Sequence, residues 1–130
     1  MKNKTIILLS TLLLFTFFTA FTRSETTESK VSVKTAAVKN ITATTAQSGY
    51  TLTISGAIVT KHGICLSGKP GPTISNTIFG AEKGPGPSFN VNMTGLRPGV
   101  MNYIRAFATT KEGVTTYGNE VSFTTLSTKK

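Results

Sequence analysis

The chain has 130 residues, with 14 Lys and Arg against five acidic residues, one His, one Cys and no Trp. All five acids are Glu, so a Ser–His–Asp triad, an Asp dyad or a multi-cysteine zinc site is excluded by inventory alone. The formal charge of +9 is inflated by Lys2, Lys4 and Arg23; from residue 24 onward eleven Lys and Arg face five Glu, leaving +6.

A surplus of that size suits solubility or contact with an anionic surface or polysaccharide. No basic stripe is interleaved with aromatic residues, so nucleic acid is not expected as a partner. Lys2 and Lys4 precede an apolar run from Thr5 to Phe21 that Arg23 ends, which is the layout of a secretory signal peptide over residues 1–23. The cut is expected between Ala20 and Glu25. The run falls short of the roughly 20 apolar residues of a spanning helix, and contact with a membrane is expected only if this segment stays uncleaved. It places the product outside the cytoplasm, secreted or in the cell envelope, in the periplasm or on the cell surface. Cys65 is the only cysteine, so no internal disulfide forms, and a buried thiol is expected.

Residues 24–32 read as a polar tether whose end runs into a first edge strand, with Val31, Val33 and Thr35 alternating against Ser32 and Lys34. Ile41 to Thr53 alternates weakly, with Ala46, Tyr50 and Leu52 on one parity. Ser55-Gly56 signals a hairpin. Ala57 to Ser67 predicts a third strand with Ile64 and Leu66 on one face and Gly63 and Cys65 on the other. Gly68-Lys69-Pro70-Gly71-Pro72 predicts a loop, because two prolines in three residues forbid a ladder. Thr73 to Phe79 predicts a short strand and Gly80 to Pro87 another loop. Phe89, Val91 and Met93 alternate with Asn90, Asn92 and Thr94 as a half-buried strand.

The closing hairpin is the clearest signal. Gly95-Leu96-Arg97-Pro98-Gly99 turns into Tyr103-Ile104-Arg105-Ala106-Phe107-Ala108, and Tyr117-Gly118-Asn119-Glu120-Val121-Ser122-Phe123-Thr124-Thr125 returns. Seven short strands with Gly and Pro punctuation, and no helical periodicity after the signal segment, predict an all-β, immunoglobulin-like, seven-stranded antiparallel β-sandwich. It would occupy residues 33–126, before a basic tail at 127–130.

Several pieces of this sequence stand in characteristic order and spacing: Ile41-Thr42-Ala43-Thr44-Thr45-Ala46, Gly63-Ile64-Cys65 with Ser67, Pro72-Thr73-Ile74-Ser75, Ser88-Phe89, Thr94-Gly95-Leu96-Arg97-Pro98-Gly99, Tyr103 with Arg105-Ala106, and the Tyr117–Thr125 run. On them, Ile41 to Thr125 resembles the fibronectin type III-like module found, often in tandem, in secreted and surface proteins of the Bacteroidota. The resemblance implies a fibronectin type III-like sandwich that spaces or binds and is not an enzyme. It implies an aromatic where Leu66 stands and an arginine where His62 stands. It also implies a turn-pinning tyrosine at Asn102, whereas Tyr103 lies one place late. Either a bulge gives Tyr103 that role or the corner is missing.

His62 and Cys65 are the one pair with nucleophilic potential, and three residues apart on a strand they fall on opposite faces. His62 is expected at the sandwich rim. Neither metal nor cofactor is expected. Arg105 and Glu120, on neighbouring strands, predict a cross-strand pair. With Ile104, Ala106 and Ala108 inward, Tyr103, Arg105 and Phe107 point outward, and an exposed aromatic–arginine–aromatic row is the candidate binding site. The reading is therefore an exported non-enzymatic module, acting in binding or as a surface-associated accessory, with a protein or a cell-surface polysaccharide as partner. Two alternatives are a structural subunit assembling by edge-strand addition and a carbohydrate-binding accessory.

Overall fold

The computed structural model describes residues 28–82 and 86–129. The expected signal segment, its cleavage site and the first part of the tether lie outside the described residues. Seven strands follow: β1 Lys30–Thr35, β2 Ala46–Ser55, β3 Val59–Ser67, β4 Thr77–Glu82, β5 Ser88–Met93, β6 Met101–Thr110 and β7 Thr115–Thr124. They form two antiparallel sheets in the orders β1-β2-β5 and β4-β3-β6-β7, a fibronectin type III-like β-sandwich.

β5 buries one parity, as a half-solvated antiparallel strand does, whereas β3 and β6 bury residues of both parities in their middles. Tyr50, Leu52, Val91 and Met93 of the first sheet meet Ile64, Ile104, Ala106 and Ala108 of the second. Each large side chain removed from water there contributes about 1.5–3 kcal/mol. Lys30–Ser32, at the end of the polar tether, already belong to the β1 ladder, paired with Ser55–Thr53.

Three expectations shift by a few residues. Ile41–Thr45 is a loop, in which the Thr42 hydroxyl accepts from the amides of Thr44 and Thr45. Such local side-chain bonds compete with a ladder. Thr73–Asn76 is a turn: Asn76 Oδ1 accepts from Thr73 N at 2.8 Å, and Asn76 N donates to Thr73 O. β4 therefore starts only at Thr77, and it runs on to Glu82 through residues predicted as loop.

The sandwich edges are drawn together. Asn119 Oδ1 accepts from Thr35 N at 2.8 Å, and Asn119 Nδ2 donates to Thr35 O at 3.2 Å. The β6–β7 register shifts between Arg105 and Phe107. Ala106 N, which lies within that shift, donates to Thr35 Oγ1 at 2.9 Å. A Cβ on Gly118 would lie 2.9 Å from Thr35 Oγ1 and 3.0 Å from Val33 O, so only glycine lets β1 approach β7 this closely. On the other side, the Val91 side chain packs against Gly80 of β4.

The chain enters at one pole of the sandwich, where Lys30 faces Ser55 and Lys111 N donates to Ile58 O. It leaves at the opposite pole, where Leu126 N donates to Thr42 O and Leu96 N to Thr44 O.

Candidate functional site

The candidate row lies on the outer face of the four-stranded sheet. Tyr103, Arg105 and Phe107 of β6 stand in register with Ser67, Cys65 and Gly63 of β3 and with Ser122, Glu120 and Tyr117 of β7. Outward direction is as expected; exposure is not. Phe107 is 0% exposed, and Tyr103 and Arg105 are half-buried. Phe107 is buried because Gly63 gives it room: a Cβ on Gly63 would come within 3.2 Å of the Phe107 ring.

What covers the row is the β3–β4 connection, Gly68–Asn76. Arg105 Nε and Nη2 both donate to Pro72 O, at 2.8 and 2.6 Å. Glu120 Oε1 accepts from Gly71 N at 2.5 Å, and Tyr117 Oη accepts from Ile74 N at 3.1 Å. The Arg105 guanidinium also sits 4.2 Å above the Tyr117 ring, a cation–π contact. Arg105 and Glu120 are register partners, as predicted, and each side chain takes a backbone group of the loop. Pro72 is fully buried beneath this clasp. Cys65 lies on the same covered face and is 0% exposed. Burial pushes its thiol up to about 11, against a smaller downward pull from Arg105 and Lys61. A thiol held neutral in this way is a poor nucleophile.

Tyr103 is the half-buried member of the row that no bond to the covering loop holds. Its hydroxyl donates to Met101 Sδ at 3.2 Å, and Met101 is 51% exposed. Tyr103 thus stands at the margin of the covered face, beside an exposed thioether.

His62 is not at the rim. It is 0% exposed, and its Nδ1 lies 2.6 Å from Tyr50 Oη. The Phe89 ring packs against both, 4.4 Å from the His62 ring and 5.0 Å from that of Tyr50. The imidazole is a core hydrogen-bonding group between the sheets. Cys65 is on the opposite face of β3, so geometry separates the two residues as the spacing predicted. No group of three or more His, Cys, Asp or Glu residues suited to a metal occurs among the described residues.

The corner before β6 is built without tyrosine. Asn102 points inward, and its Nδ2 donates to Val100 O at 2.9 Å; Tyr103 stays on the outer face. The turn is held instead by Thr125, whose Oγ1 accepts from Val100 N at 3.0 Å and donates to Arg97 O at 2.5 Å. Only the sequence end of this substitution was readable, because Thr125 is 25 residues from Val100.

The fold has solved counterparts. The sensor domain of the anti-sigma factor RsgI4 of Pseudobacteroides cellulosolvens matches with a TM-score of 0.58 at 15% identity, covering 81% of this chain and 100% of that one. The sixth fibronectin type III domain of human fibronectin type III domain containing protein 3 matches with a TM-score of 0.55 at 23% identity, covering 82% of this chain and 94% of that one. These likenesses define the class as a fibronectin type III-like β-sandwich. No protein-family model matches the sequence, and no curated protein matches it.

Proposed function

We propose that this chain is an exported, non-catalytic β-sandwich module that binds a partner at the cell envelope or surface. The observation that carries the reading is the commitment of its chemistry-bearing side chains to architecture. His62 is bonded into the core, the Cys65 thiol is covered, and Glu120 and Arg105 hold a loop. The resemblance in fold to a sensor domain and to a fibronectin type III domain supports the same reading. The binding surface we assign is the margin of the candidate row: Tyr103 is the contact residue, and Arg105 and Phe107, farther along β6 on the same face, lie under the β3–β4 connection.

Edge-strand addition has less room in this architecture, because β1 is pinned to β7 through Thr35 and Asn119 and β4 packs on β5. The test is affinity capture with the processed chain as bait and the source cell's envelope and medium as prey. Salt is held at about 0.15 M, where screening blunts charge-only contacts. One stoichiometric partner, lost with Tyr103→Ala but kept with Lys34→Ala, supports the module. Retention of polyanions alone, released by modest salt, overturns it.

A further inference from the structure

At the pole where the chain leaves, an open groove of about 370 Å³ lies between the ends of β3 and β4 and the turn before β6, within the size range of small-ligand sites. Leu66, Phe79 and Leu96 form its apolar walls, Asn102 lies at its base, and Arg97 and Val100 stand at its mouth.

The groove exists because of one short side chain. Asn102 shares the inward parity of Ile104 and Ala106, and only 6% of it is exposed. Its amide bends back to Val100 O in the turn before β6, so no long side chain crosses from β6 toward Leu66 and Phe79 at this level.

Among the described residues, the charged side chain that lines the groove is Arg97. The Arg97 carbonyl is occupied by Thr125, but its guanidinium is exposed and makes no hydrogen bond or ion pair among the described residues. Lys69 follows Gly68, which lines the groove, and Lys129 stands in the exposed tail beyond β7. Of the described carboxylates, Glu112 lines a cleft at the opposite pole beside Ser29, next to Glu28, and Glu120 is bound to Gly71 N.

We propose that this groove binds a small aromatic carboxylate. Its ring lies against Leu66, Phe79 and Leu96, and its carboxylate pairs with the Arg97 guanidinium. The apolar walls and the Phe79 ring select an aromatic body. The Arg97 guanidinium at the mouth selects the anion, in the fork geometry that arginine offers a carboxylate. The proposal rests on the reading of the chain as a binding module and gives that module a second, small-molecule site.

The test is titration of the processed chain with phenylacetate, followed by methyl NMR. Saturable shifts are expected at Leu66, Leu96 and Val100, with a Kd down to about millimolar for so small a ligand. The neutral isostere 2-phenylethanol should bind about two- to fivefold more weakly, the scale of one exposed ion pair, and Arg97→Gln should erase that difference. Asn102→Tyr, which fills the groove, should abolish both. Arg97→Gln, on the surface, keeps the test decisive if the larger side chain perturbs folding. Absence of saturable shifts, equal affinity for acid and alcohol, or shifts confined to other methyls overturns the proposal. Its failure is distinguishable from failure of the module: a partner captured through Tyr103 while phenylacetate gives no saturable shift leaves the Tyr103 surface standing while the groove falls.

Discussion

Arg105 grips the Pro72 carbonyl with two donors, Nε at 2.8 Å and Nη2 at 2.6 Å, and so fastens the β3–β4 connection over the outer face of the sheet. A planar fork on one acceptor is a geometry that lysine cannot reproduce. Arg105→Lys keeps the charge and should still loosen the loop, costing about 1–2 kcal/mol, the scale of a charge-assisted hydrogen bond partly open to solvent. Hydrogen exchange at Gly71 and Ile74 checks this: both amides should lose protection while the β2 amides keep theirs.

Tyr50→Phe should destabilise the fold by about 1–3 kcal/mol, because Nδ1 of His62 loses its phenolic partner in a site without water access. Urea unfolding measures the loss. The slope of free energy against urea should be unchanged, since the same surface is exposed on unfolding.

Thr125→Val preserves shape and removes the hydroxyl that ties Val100 N to Arg97 O. It should cost about 1–2 kcal/mol, roughly one to two net hydrogen bonds. Thermal unfolding reports the change, and Thr128→Val, in the tail beyond β7, should be silent.

Gly118→Ala forces a Cβ into the space held by Thr35 Oγ1 and Val33 O. Overpacking against backbone typically costs about 1–3 kcal/mol, and the two sheets should part first at this edge. Loss of exchange protection at Thr35 and Ala106, whose amides bond across the gap, is the expected signature.

The Cys65 thiol ordinarily titrates at 9.0 and is raised to about 11 in the folded chain. Above pH 9 the unfolded chain releases this proton while the native state holds it. Stability is therefore fully present below pH 9 and falls as pH rises toward 11, by at most about 1.4 kcal/mol per pH unit. Urea midpoints at pH 8 and 10.5 should differ more in the native sequence than in Cys65→Ala.

The strands were legible wherever one face alternates cleanly. Val91 and Met93, or Ile104, Ala106 and Ala108, announce their own burial through a period of two. β4 was misplaced because Asn76 caps a turn at Thr73, and that side-chain bond outweighs the apolar Ile74 in deciding the backbone. Other features depend on residues far apart in sequence. The cover over Phe107 comes from a loop whose anchor, Arg105, is 33 residues from Pro72. The burial of His62 depends on Tyr50 in the opposite sheet. Alternation made Tyr103, Arg105 and Phe107 visible as a row, but only the fold shows that Phe107 is buried and that Arg105 is spent on the loop.

The entry of the chain at one pole and its exit at the other has a mechanical consequence. Tension applied between the two ends pulls β1 along its own axis past β2 and β7 along its own axis past β6. The six register pairs from Lys30↔Ser55 to Thr35↔Tyr50 then bear load together, in shear, instead of opening one after another like a zipper. The Thr35–Asn119 latch lies at the far end of β1 from the pulled end and must slip with them. A module strung between a surface and a bound partner would in this way resist extension through its first and last strands, the two that carry the chain in and out.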